Sequence, residues 1–343
     1  MLTYLCCQDF SYHRGIHQTI GILRSVLVLL LLAVCTAAWA DTFGSGANTF
    51  DIEFVTIGDP GNVADTTGDP NPAGAVPHTY RMGKYEISEA MIDAANEITA
   101  AEGDPLGITF AVRRGDQKPA TSLTWPEVAR FVNWLNTSTG HSPAYKFDSG
   151  GDFQLWYPRD PGYNPANPFR NSQAVYFLPS TDEWYKAAYY DPATQTYFDF
   201  ATGSDTAPIP VASGTAPGTA VWNQLAGPAD VELAGGASPY GTVGQSGNVL
   251  EWEESAFDLV NDLPTEVRGL RGGDYRLTIS TLDLSSRFRN RAGLTSPLQD
   301  SGFRIASVVP EPASLLLAMA VIVFLIFSRG IPHTQDDVFP SNQ

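Results

Sequence analysis

Three stretches of the chain place apolar residues at helical spacing directly behind a helix start signal. Ser88 precedes Met91, Ala94, Ala95 and Ile98, and its hydroxyl suits an N-cap. Thr124-Trp125-Pro126-Glu127 is a capping box with proline in the first turn, and Val128, Phe131, Val132 and Leu135 follow on one face. Ser180-Thr181-Asp182-Glu183 repeats the box ahead of Trp184, Ala187 and Ala188, until Asp191-Pro192 ends the run. These spacings predict three packed helices with a structural role. Short β-branched or aromatic runs at 54–57, 80–87, 175–178, 249–252 and 304–308 predict strands. Between them, 59–77, 147–171 and 202–218 are turn-rich. No period marks a solenoid, and strands and helices do not alternate as a doubly wound sheet requires. The expected fold class is α+β, in one loop-rich domain over 41–308.

The two ends read as addresses. Residues 1–40 carry Arg14 and Arg24, an apolar run at 26–34 and then Ala38-Trp39-Ala40, the order of a secretory signal peptide with cleavage after Ala40. Lipidation at Cys35 is the rival, but Val34 is larger than the residue such signals place there. At the other end Val309-Pro310-Glu311-Pro312 precedes an apolar run at 313–327 and Arg329. That run reaches about 22 Å as a helix, marginal for a hydrocarbon core of ~30 Å. The segment resembles the PEP-CTERM sorting signal, which implies an exosortase-type sorting peptidase as partner; the alternative is a plain C-terminal anchor. The expected organisation is a signal peptide at 1–40, a domain at 41–308, a sorting signal with transmembrane helix at 309–330 and a tail at 331–343. It predicts an exported protein at the cell envelope, membrane-anchored through the C-terminal helix at least before processing.

Charge and cysteine usage narrow the chemistry. The chain has 37 Asp+Glu against 20 Lys+Arg, a net charge of −17. Residues 41–308 hold 33 acidic and 17 basic residues, so the excess sits on the domain itself. With no basic runs, a nucleic-acid partner is not expected. All three cysteines, Cys6, Cys7 and Cys35, precede the expected cleavage point. The exported domain therefore has no disulfide, thiolate metal site or cysteine nucleophile.

Several motifs recur in a telling order: Phe54-Val55-Thr56-Ile57-Gly58, Arg81-Met82-Gly83-Lys84-Tyr85-Glu86, Phe177-Leu178-Pro179-Ser180-Thr181-Asp182-Glu183-Trp184, Gly247-Asn248-Val249-Leu250-Glu251-Trp252, Leu270-Arg271-Gly272-Gly273 and Gly302-Phe303-Arg304. Together they resemble the formylglycine-generating enzyme family, also called the sulfatase-modifying factor domain, over roughly 54–307. The resemblance implies a variant of the C-type lectin fold. Oxidases of that family hold copper with two cysteines shortly after the Arg-Gly-Gly signature. Here 274–284 contains no cysteine, and Met82 and Met91 are poor replacements as soft ligands, so no copper is expected. A second branch, iron-dependent sulfoxide synthases, uses a histidine cluster; the domain offers only His78 and His141.

The family also binds calcium. Glu251 with the carbonyls of Gly247 and Val249 matches part of one such site, with Gly244 where a side-chain ligand is expected, and Asn223 matches part of a second. Arg271, Arg287, Arg289, Arg291 and Arg304 concentrate positive charge in an acidic chain. They suit either internal pairing with carboxylates such as Glu183 and Glu251 or a ligand-facing cluster, for which Arg276, Arg287, Arg289, Arg291 and Trp222 are the candidate binding residues. Trp156, Tyr157, Trp222 and Tyr240 suit either a sugar-stacking surface or core packing. The functional expectation is a non-catalytic surface protein that binds an envelope polysaccharide or protein ligand. The alternative is an enzyme of the family with altered chemistry or an altered metal site.

Overall fold

The computed structural model describes residues 39–276 and 280–310. The expected signal peptide, up to residue 38, and the expected sorting signal and tail, from 311 onward, lie outside the described residues. Among the described residues no helix is long and apolar enough to cross a membrane.

All three expected helices form where their caps stand. Helix α1 (Glu89–Glu102) starts at Ser88, whose hydroxyl accepts from the Met91 N–H, and ends at Gly103, which takes the left-handed conformation with φ 83°. Helix α2 (Trp125–Ser138) and helix α3 (Thr181–Tyr189) each carry a complete capping box, Thr124 with Glu127 and Ser180 with Glu183.

The strands, numbered in chain order, build two main sheets. The first has the order β1 (Trp39–Phe43), β2 (Phe50–Ile57), β3 (Tyr80–Gly83), β15 (Ala306–Val308), β6 (Tyr176–Phe177), antiparallel throughout. The second has the order β13 (Asn290–Ala292), β12 (Arg268–Arg271), β11 (Leu250–Ala256), β14 (Ser301–Gly302), with β11 and β14 parallel. Three two-stranded pairs complete the set: β4 (Lys146–Phe147) with β5 (Phe153–Gln154), β7 (Tyr190–Asp191) with β8 (Thr196–Tyr197), and β9 (Ile209–Pro210) with β10 (Thr219–Ala220).

Several strands lie outside the ranges the sequence predicts, and three of them, β1, β12 and β13, bear on the interior. Strand β1 begins at Trp39 and pairs Ala40 with Glu53, so cleavage after Ala40 leaves its last three residues, led by Asp41. Asp41 is fixed by Arg81, whose Nη1 and Nη2 donate at 2.9 and 2.6 Å, and by the Tyr176 hydroxyl at 2.8 Å. Strands β12 and β13 were not expected, because the polar look of Arg268-Gly269-Leu270-Arg271 hides a fully buried strand. The core joins the first sheet to α1 and α2 through Phe54, Met82, Phe131, Leu135 and Phe303. Met82 is therefore a core residue rather than a metal ligand.

Candidate functional site

The signature motifs converge on the interior around β11. Glu251, Glu253 and Glu254 stand on this strand, all fully buried. A carboxylate deprived of water needs a cation or several hydrogen bonds, and the fold brings arginines from four distant segments. Arg304 donates from Nε to Glu251 Oε2 at 2.6 Å and also reaches Oε1, while Trp184 Nε1 donates to Oε2 at 2.7 Å. Arg271 Nε donates to Glu253 Oε1, and Arg289 Nε to Oε2, each at 2.8 Å. Thr181 adds its hydroxyl to Glu253 Oε2 at 2.7 Å. Arg170 bridges two carboxylates, donating from Nε to Glu254 at 2.7 Å and from Nη2 to Glu183 at 2.8 Å.

These pairs set the local electrostatics. Burial pushes the Glu183 carboxyl up, but Arg170, a hydrogen bond with His78 and the capping N–H of Ser180 outweigh it and hold the group well below the usual range. Glu253 behaves alike: burial is overcome by Arg289 and Arg271, and the carboxyl is lowered. Glu86 goes the other way. Burial and the charge of Glu251 raise it well above the usual carboxyl value, against the pull of Arg304 and of Asn248 Nδ2, which donates 3.0 Å to both oxygens. A Cβ at Gly244 would meet the Glu86 carboxylate at 2.9 Å, so Glu86 fills the space of the absent 244 side chain.

The fold does not gather the candidate arginines into one cluster. Arg289 is buried on Glu253 and on the carbonyls of Ala256 and Phe257, so it is closed to a solvent ligand. Arg287 pairs with Asp199 at 3.0 Å, Arg276 with Asp300, and Arg291 lies over the Phe257 ring at 5.0 Å. Trp222 donates from its indole to the Pro208 carbonyl at 3.1 Å. The candidate sugar-stacking aromatics also separate: Trp156 and Tyr157 flank Lys146, whereas Tyr240 stacks on Tyr190.

The calcium ligand set does not fit a cation. Both oxygens of Glu251 face the Arg304 guanidinium, which places a positive charge where calcium would need open lone pairs. Val249 is buried, and Asn223 sits in a separate turn at φ 54°, next to the Gln224 N–H that bonds the Tyr275 carbonyl. Copper fares no better, since Asp274, Tyr275 and Arg276 follow the Arg-Gly-Gly turn with no thiol. His78 is committed to Glu183 at 3.1 Å and His141 lies in the turn after α2. Among the described residues no group of three His, Cys, Asp or Glu suits a metal.

Several central residues escaped the sequence reading: Arg170, Arg268, Glu253, Glu254 and Lys186. The run Glu251-Trp252-Glu253-Glu254 was the available signal, since carboxylates flanked by apolar residues in a strand imply buried partners. Arg268 is fully buried over the rings of Phe169 and Trp125, at 4.0 and 4.5 Å, and burial lowers its guanidinium to about 10. Lys186 is likewise without surface; its Nζ donates to the Asp59 carbonyl at 2.7 Å. Burial lowers its ammonium to about 8, with only partial compensation from Asp59. Between about pH 8 and 10 the unfolded chain therefore binds more protons at this site, so this residue's contribution to stability rises with pH there. Lys186→Met is expected to raise stability at pH 7 by about 1–3 kcal/mol and to abolish that rise, as read by thermal melts across pH.

Direct comparison bears on the resemblance. Residues 52–309 match the sulfatase-modifying factor enzyme 1-like domain. Among solved structures the chain is similar to Treponema denticola variable protein 1, at 19% identity and a TM-score of 0.52, over 80% of this chain and 100% of that one. It is also similar to CarF, at 18% identity and a TM-score of 0.53, over 75% of this chain and 98% of that one. At such identities the likeness shows the fold alone. No curated protein matches the chain in sequence. The family match spans most of the chain and the whole arginine–glutamate interior, and on that basis the chain belongs to the sulfatase-modifying factor enzyme 1-like domain family, with its α+β, C-type lectin-like fold.

Proposed function

We propose that this protein is an exported, envelope-associated member of the family that binds a ligand and does not oxidise cysteine. The observation that carries this reading is the segment behind Gly273: where copper oxidases of the family require two thiolates, this chain has Asp274, Tyr275 and Arg276 and no cysteine up to residue 284. Copper(I) held by oxygen and guanidinium neighbours has no soft donor, so the oxidase chemistry lacks its metal. The nearby charged groups are engaged in structure: Arg276 pairs with Asp300, and Arg114 Nη2 donates to the Gln299 carbonyl at 3.2 Å. The retained signatures then serve the scaffold, which presents loops of free sequence on a rigid interior.

Export and envelope display follow from the reading of the two ends and belong to the proposal, with an exosortase-type peptidase as processing partner. The test is titration with copper(I) in the presence of a cysteine-bearing sulfatase-motif peptide. No high-affinity copper binding and no aldehyde in the peptide by mass spectrometry are expected. Conversion of the peptide cysteine to an aldehyde would sink the reading.

A further inference from the structure

Two adjoining clefts, of about 310 and about 410 Å³, open where the C-terminal ends of α1 and α2 meet the turn after β1. They share Glu102, Trp134 and Thr137. Neither touches the Arg-Gly-Gly segment or the buried arginine–glutamate lattice. Their combined size suits a small ligand of a few rings.

The lining has a definite chemical bias. The side chains of Glu102 and, in the first cleft, of Asp104 make no hydrogen bond or ion pair with any described residue. Neither helix has a basic residue in its last turn, so two helix dipoles bring their negative ends here uncompensated. Thr137 donates its hydroxyl to the Asn133 carbonyl at 3.1 Å, which leaves its lone pairs for a donor from outside. Arg130, the one cation in the lining, turns away to the Gly151 carbonyl at 2.9 Å and the Phe147 ring.

Trp134 supplies the second, independent observation. It is 6% exposed and packed between Phe50 and Phe131, with ring centroids 6.0 and 5.9 Å away. Its indole N–H nevertheless has no partner among the described residues, and the surface it retains belongs to both clefts. A nearly buried N–H is seldom left unmade without a ligand or water to accept it. Trp134 thus offers an edge donor instead of a stacking face.

Acceptors outnumber donors and the field is negative, between walls of mixed polar and apolar character. We infer that the paired clefts bind an amino sugar: a cationic amine between Glu102 and Asp104, with ring hydroxyls donating to Thr137 and accepting from Trp134. This rests on the ligand-binding reading and adds a substrate class and a place to it. Acidic polysaccharides are excluded by charge, and N-acetylation removes the cation that the field selects.

The test is calorimetric titration of the full chain with glucosamine oligomers, beside N-acetylglucosamine and galacturonate oligomers. The amino form is expected to bind, the acetylated form about tenfold more weakly, and the acidic form not at all. Glu102→Gln, an exposed position that leaves the fold intact, is expected to weaken the amino form about tenfold, and Trp134→Phe severalfold. Unchanged affinity in Glu102→Gln, equal binding of all three oligomers, or no binding of any overturns the inference. Sugar binding that survives both substitutions removes this cleft and leaves the ligand-binding function standing. Aldehyde formation in the copper assay does the reverse.

Discussion

Glu253→Gln is expected to be the most damaging single substitution in this domain. The change keeps the shape of the side chain and removes one charge. Glu253 is the shared anionic partner of Arg271 and Arg289, whose side-chain exposures are 0 and 2%. Without it two guanidinium groups stand in a closed interior, and water cannot reach either. Breaking one buried pair by removing a partner costs about 3–5 kcal/mol, against a total domain stability of about 5–15 kcal/mol. A fall in Tm of roughly 10 °C or loss of the folded state is expected in thermal melts, and a Tm within a degree or two of the parent would refute the account. Replacing Glu253, Arg271 and Arg289 together by apolar residues is expected to cost less than Glu253→Gln alone, because no charge is then stranded. The same lattice predicts acid sensitivity. Glu183 and Glu253 are lowered in the fold, so their contribution is complete above about pH 4.5 and is lost as pH falls below it.

Arg304→Met is expected to come second, with a cost of about 3–5 kcal/mol. The guanidinium ties its own segment to three others: Glu251 on β11, the Gly83 and Lys84 carbonyls at the end of β3 at 3.0 and 3.3 Å, and the Val243 carbonyl at 2.9 Å. Its loss leaves the Glu251 carboxyl beside that of Glu86, with the Trp184 indole as its remaining side-chain hydrogen-bond donor among the described residues. Arg304→Lys keeps the charge but not the fork and is expected to recover only part of the stability. The diagnostic is Glu86→Gln in the Arg304→Met background. Burial and the charge of Glu251 raise the Glu86 carboxyl, so the two carboxyls oppose each other's ionisation, and Glu86→Gln removes that conflict. A double variant more stable than Arg304→Met by denaturant titration is expected, and an additive or worse result would contradict the coupling.

The helices were legible because everything that starts and stops them is local. Ser88, Thr124 with Glu127, and Ser180 with Glu183 act within one turn of their own chain, and each cap formed as read. Strand β12 was hidden because both its faces are buried and each carries an arginine, Arg268 against Trp125 and Arg271 on Glu253; β13 was hidden because it is three residues long and only half buried. A hydrophobic period cannot signal a strand whose core face is charged. Residue type and nearness in sequence grouped Arg287, Arg289 and Arg291, which a continuous strand would place on one face, but Arg287 stands in a turn, Arg289 just ahead of β13 and Arg291 on it, and only Arg289 of the three is buried.

The sequence by itself determined the acidic balance, the three helices and a segment from Asp274 to Leu284 that carries no thiol. The tertiary structure alone decided which charges meet. Arg304 finds Glu251 across 53 residues, Arg289 finds Glu253 across 36, and Arg170 finds Glu254 across 84. It also decided that Glu102 and Trp134, on different helices, line the same two adjoining clefts. Caps and composition act through neighbours in the chain, whereas ion pairs and clefts depend on how distant segments pack, and no local spacing records that.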